Sequence, residues 1–200
     1  SLEEYAALTG QSTDECAGKW QQLEQAQTTV LSNAGNAWQT AGMSANQYME
    51  QVTGFSAALI TSLGNDTNAA ADYANMAMVD MSDNANTFGT DMQSLQWAYQ
   101  GFAKQNYTML DNLKLGYGGT KEEMERLISD ANRVKEANGE MADLSIDSFA
   151  DVTEAIHIIQ EQMNIAGTTA REASTTIEGS VNAMKAPWEN WLTGLCDESS

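Results

Sequence analysis

The chain has one histidine, one proline and two cysteines in 200 residues. The single histidine, His157, excludes any site that needs several imidazoles. With no C-x-x-C and no Cys/His cluster, a zinc site is excluded on ligand count. Cys16 and Cys196 lie near opposite ends. One disulfide and two free thiols are both open, and free thiols of a reducing cytoplasm are the expectation. Bases are scarce: nine Lys and Arg stand against 28 Asp and Glu, for a net charge of −19. The first hundred residues hold eleven acids and one base, Lys19. Such a surface repels phosphates and anionic lipid, so no direct nucleic-acid binding and no docking to such a membrane are expected. No apolar run is long enough to span a bilayer, and no run alternates over strand length.

What is present is helix former. Ala, Met and Gln tracts fill the space that proline leaves, which favours helix. The pattern reads as all-α: a compact bundle of seven or eight helices with a coiled-coil-like N-terminal helix. Residues 1–42 read as a helical, coiled-coil-like arm, and residues 43–200 as a globular helical domain. From about Thr13 to Ala37 a loose heptad seam runs through Trp20, Leu23, Val30, Leu31, Ala34 and Ala37, with Gln27 in the gap. Gly35 and Gly42 weaken this helix. Ser44 caps a helix with the stripe Tyr48, Met49, Val52, Phe55 and Leu59. Asp66 or Thr67 caps another, striped by Ala70, Tyr73, Ala74, Ala77, Met78 and Met81. Met76 and Val79 lie off that stripe, and Ile158 lies off its own, which hints at self-association or a second layer. Asp83 to Gly89 reads as a connector, followed by a helix from Thr90 or Asp91. Ser148 caps a helix with Phe149, Val152, Ile156, Ile159 and Met163. A short helix passes through Ala170, Ala173 and Ile177. The last shows Val181, Met184, Trp188, Trp191, Leu192 and Leu195 on one side, kinked or restarted at Pro187.

The chain is organised around residues 97–127, which read as helix, apolar turn, glycine loop and helix. Tyr107, Leu113 and Tyr117 sit in a linker too apolar for an exposed loop, so the segment folds back on the body. The same three residues are the choice for partner contact. Gly116, Gly118 and Gly119 permit positive φ. Thr120 and Glu123 have capping-box spacing. Gly116 to Lys121 before a helix start has the look of an anion-binding loop, but it lacks Walker A spacing and is followed by Glu122 and Glu123. It reads as a structural turn.

Chemistry has few candidates. Glu154-Ala-Ile-His157, with Glu161 one turn on, has the Glu-x-x-His spacing of di-metal carboxylate bundles. Those need two such units, and here there is one histidine. The cluster lies opposite the apolar stripe of its helix and reads as a solvated polar face. No sequence feature sets a nucleophile beside His157. The expectation is no enzyme, no cofactor and no metal. The alternative is an all-α metal-binding or enzymatic bundle using Glu154, His157 and Glu161.

Four stretches carry a resemblance: MSANQYMEQVTGFSAALI (43–60), MVDMSDNANTFGTDMQSLQ (78–96), YQGFAKQNYTMLDNLKLGYGGTKEEMERL (99–127) and ADVTEAIHIIQEQMNIAGTTAREASTTIEGSVNAMKAPWENWLTGL (150–195). In order and length they are similar to the tail tape measure proteins of phages and prophages whose hosts have Gram-positive-type walls. The resemblance implies a virion structural protein acting in tail assembly, tail length determination and genome ejection. It implies tail tube protein, tail assembly chaperones and baseplate or tail-tip proteins as partners. It also implies a place in the host cytoplasm before assembly and in the tube lumen after it. The first residue, Ser1, fits a piece of a longer chain.

Overall fold

The computed structural model describes residues 1–173, and of residues 171–173 the backbone only. Among the described residues there is no strand, and the fold is all-helical, as expected. The helices are α1 (Leu2–Thr9), α2 (Thr13–Thr40), α3 (Ala45–Ser62), α4 (Thr67–Phe88), α5 (Met92–Ala103), α6 (Lys121–Ala137), α7 (Phe149–Gln162) and α8 (Thr168–Ala173), with a 3-10 turn at Leu110–Leu113. The expected last helix with its kink at Pro187, together with Ile177 and Cys196, lies outside the described residues.

The starts follow from local chemistry. Ser1, Ser12 and Ser44 each close a full capping box with Glu4, Glu15 and Gln47. Asp66, Thr120 and Ser148 each accept one N–H of the first turn. A side-chain cap is worth about 1 kcal/mol, enough to decide where a marginal helix begins. Helix α1 adds to the expected set, and Ser1-x-x-Glu4 is its signal. Helix α2 runs through Gly35 without a break and ends at Thr40.

Helix α4 is the axle. It packs against α2, α3, α5, α7 and α8, while α6 lies on α7 and α1 on α2. Ala70, Ala71, Ala74 and Ala77 let neighbours approach closely, and Met78 and Met81 fill the remaining space. The stretch read as a connector, Asp83 to Gly89, is instead the last turns of α4, which stops at Gly89 with φ 68°. Asp83 and Asn84, polar residues that suggest a loop, are buried and bond to other elements.

The apolar interior has two parts. The main core takes in Val30, Ala34 and Ala37 of α2 with residues of α3 through α7. A small separate cluster joins Tyr5 and Ala6 of α1 to Cys16 and Leu23 of α2, with Leu2 and Trp20 against it. The Tyr5 and Trp20 rings lie 5.6 Å apart. The heptad-like seam of α2 is therefore filled from within the chain, and its second half belongs to the main core.

Candidate functional site

The second half of α4 carries four polar side chains that water barely reaches: Asp80, Ser82, Asp83 and Asn84. Burying such groups is costly unless each is bonded. Ser82 Oγ donates to the Ala41 carbonyl at the end of α2, 2.6 Å away. The Asp83 carboxylate accepts the Gly167 and Thr169 N–H groups at 2.7 and 2.9 Å, holding the start of α8. Asn84 Nδ2 donates to the Leu113 carbonyl at 2.7 Å and to Gln160 Oε1 at 2.9 Å. Gln160 Nε2 returns a bond to the Asp80 carbonyl. This belt ties α2, α7, α8 and the 3-10 turn to one helix.

His157 of α7 closes the belt. Its Nδ1 lies 3.0 and 3.1 Å from the two carboxylate oxygens of Asp80. Its Nε2 lies 3.2 Å from Glu161 Oε1. With a carboxylate on each nitrogen the ring holds its proton. Hydrogen bonding to Asp80, with the charges of Asp80 and Glu161, pushes it up to about 9 despite partial burial. Burial pushes Asp80 up to about 6, against the pull of His157. The pair is thus ionised between those values. A ring held this way has no lone pair for a metal and no free nitrogen to act as a base. Among the described residues its hydrogen-bonding partners are the carboxylates of Asp80 and Glu161.

Glu154 belongs to a different set. Its Oε1 accepts from Lys135 Nζ at 2.6 Å and its Oε2 from Tyr73 Oη at 2.8 Å. The bond to Glu154 raises Lys135 above the ordinary lysine value. Burial and the same carboxylate raise the Tyr73 phenol. So the structure joins His157 to Glu161 but gives Glu154 to a lysine and a tyrosine. Among the described residues no three His, Cys, Asp or Glu side chains are arranged to hold a metal. The face read as solvated is partly covered, because Asp80 and Lys135 reach it from other helices. Sequence spacing along α7 cannot reveal partners that come from α4 and α6.

These groups border a cleft of about 360 Å³ between α4, α6 and α7. Met76, Val134 and Ile158 line it with aliphatic surface, and all three are half-buried. Asp72, Glu140 and Glu161 stand around it. Met76 and Ile158 are two of the residues that lie off their helix stripes.

The central loop packs on the body of the chain, and Tyr107, Leu113 and Tyr117, the choice for partner contact, all have partners within it. Leu113 and Tyr107 are 1% and 6% exposed. Tyr107 stacks on Phe102 at 6.2 Å and its hydroxyl donates to the Ile146 carbonyl. Tyr117 is half-buried, its hydroxyl donating to Asp130 at 2.6 Å and its ring lying under Arg126, 4.2 Å away. Burying a side chain such as Leu113 is worth about 1.5–3 kcal/mol, which a contact left open for a partner would forfeit. The apolar turn folds back and uses these residues itself.

The glycine loop divides its labour. Gly116 has φ 89°, whereas Gly118 and Gly119 do not need positive φ. Glu123 forms only half of the expected capping box. Its backbone N–H bonds Thr120, but its carboxylate takes the Gly118 N–H at 3.1 Å and Arg126 Nε at 2.6 Å. Arg126 also donates to the Gly116 carbonyl at 2.9 Å. A carboxylate of the chain itself thus occupies the place an anion would take.

Compared with family models, curated proteins and solved structures, the chain matches none.

Proposed function

We propose that this chain is a folded helical segment of a phage or prophage tail tape measure protein, serving docking, initiation of assembly or genome ejection rather than measuring length. The likeness of residues 43–60, 78–96, 99–127 and 150–195 to that family is what names it. One structural observation supports the choice of role: the helices fold back around α4 instead of running on as one rod. A ruler helix advances about 1.5 Å per residue, and α2, the longest described helix with 28 residues, spans only about 42 Å on that scale. The rest of the described chain doubles back on itself and adds little length. The net charge of −19 also suits a protein that shares a tube with DNA and must not adhere to it. On this reading its partners are the tail tube protein, the tail assembly chaperones and the baseplate or tail-tip proteins. It passes from the host cytoplasm to the tube lumen as tails assemble.

An in-frame deletion of residues 43–195 from the parent gene tests the role, with tail length measured by electron microscopy. It removes 153 residues, about 230 Å of ruler at the helical rise. The expected outcome is absent tails, or tails of normal length that fail to deliver DNA. Infectious tails shortened by about that length would make the segment a ruler. Infectious tails of normal length would remove both roles and the family reading with them.

A further inference from the structure

The cleft between α4, α6 and α7 shares only His157 with the belt that crosses the centre of the molecule. Its wall of Met76, Val134 and Ile158 comes from three different helices, and two of these residues sit where the helix pattern calls for a polar one. Around that wall stand Asp72, Glu140, Glu154 and Glu161, with Asp80 beneath His157. Among the described residues, Lys135 and His157 are the only basic groups paired with these five carboxylates, and Tyr73 adds a neutral hydroxyl on Glu154. Lys135 shows what suits the place. Its ammonium lies 2.6 Å from Glu154 and 3.9 Å from Glu140, and its side chain is only 13% exposed. The chain has already laid one alkylammonium along this cleft. Asp72 makes no ion pair among the described residues, and the 54%-exposed Glu161 meets His157 alone. Charge remains for a second cation.

Other occupants fit less well. An anion would find both basic groups already bonded to carboxylates. A second copy of the chain would bring the same negative charge. A compact metal ion would find no convergent ligand set among the described residues and would gain nothing from the aliphatic wall.

We propose that this cleft binds a linear di- or polyamine, its methylenes lying on Met76, Val134 and Ile158 and its ammonium groups among the carboxylates of Asp72, Glu140 and Glu161. The volume of about 360 Å³ falls within the range of small-molecule sites and holds a short chain of this kind. The aliphatic wall separates this ligand from a simple counterion. An ammonium without a stem gains only the charge, which salt screens. The proposal stands apart from the tail assignment and does not depend on it.

The test is isothermal titration of the full chain with spermidine at low ionic strength, against magnesium at matched ionic strength. One saturable spermidine site is expected, weakened at least tenfold by Glu161→Gln combined with Asp72→Asn and several-fold by Ile158→Ser. Glu3→Gln with Glu24→Gln, on α1 and α2, leaves it unchanged. A companion measurement needs no variant: in wild-type protein, spermidine should shift the NMR signals of the Met76 methyl, the Ile158 methyls and the His157 ring, and few others. The idea is overturned if no saturable site appears. It is also overturned if magnesium fills the same site as tightly, if the α1 and α2 substitutions weaken binding as much, or if the shifts spread over the whole acidic surface.

Discussion

Gly119 holds its place because of a neighbour, not a turn. A Cβ there would sit inside contact distance of the Thr108 carbonyl, a backbone atom that cannot swing aside. Gly118, next to it, has ordinary room, with the Glu123 side chain 3.6 Å from where a methyl would stand. Gly119→Ala is therefore expected to lower stability by about 2 kcal/mol or more, while Gly118→Ala stays within about 1 kcal/mol. Urea unfolding of both variants checks this, and equal effects would contradict it. The second residue-scale expectation concerns pH. His157 binds its proton more tightly folded, at about 9, than in the open chain, at 6.5. Its contribution is then complete below 6.5 and is lost as pH rises through 9. The ring is partly open to solvent, so the loss across that window is on the order of 1–2 kcal/mol after screening. Asp80, also raised, acts in the same direction at lower pH, as its buried carboxyl ionises toward about 6. His157→Gln should remove the loss near pH 9, while Asp80, freed of the pull of His157, ionises at higher pH than in wild type; a loss near pH 9 that is unchanged in this variant would assign it to other groups.

Among the elements, α4 is the one whose sequence misleads most. Its first half declares itself through alanines and methionines at helical spacing. The stretch from Asp83 to Gly89 looks like a linker because polar residues usually mark exposed chain. Here Asp80, Ser82, Asp83 and Asn84 face inward. Their partners stand far off in sequence: Ala41, Leu113, His157, Gln160 and Thr169. Caps and apolar stripes are local and could be read, as at Ser44, Asp66, Thr120 and Ser148. The cleft, the belt and the fate of Glu154 depend on pairings between helices, which no single-helix pattern encodes. Leu113 and Tyr107 show the same limit, since an apolar loop residue can face a partner or its own core. The hold of α4 on α8 gives a prediction at this scale. Asp83→Ala removes the acceptor of two N–H groups in a buried setting, at a cost of about 1–3 kcal/mol for each group left unbonded. Hydrogen exchange should show the Gly167 and Thr169 amides losing protection first, with α3 and α5 least affected. Uniform loss across all helices would mean that α8 is not a separable element.

At the scale of the whole molecule, the apolar interior is divided unequally along α2. The second half of that helix is part of a core built from six helices, whereas the apolar cluster of the first half is shared with α1. A small cluster has few contacts to lose before it opens. Leu23→Ala, which costs about 2–5 kcal/mol at a fully buried site, is expected to speed hydrogen exchange in α1 and the first half of α2 while leaving α3 to α7 near wild type. Leu59→Ala, in the main core, should weaken every helix together. If Leu23→Ala also lowered protection throughout, the two clusters would be one cooperative unit. The same division sets how the molecule bears load. Tension applied through Ser1 peels α1 away from α2 a few side chains at a time, because the pair is joined at one end like a hairpin. Once α1 is free, the pull passes down α2 as through a rigid strut and reaches the main core along many contacts at once. The chain therefore yields in two stages, first a compliant extension at low force and then a stiff resistance, so that its N-terminal end behaves as a built-in slack take-up for the body behind it.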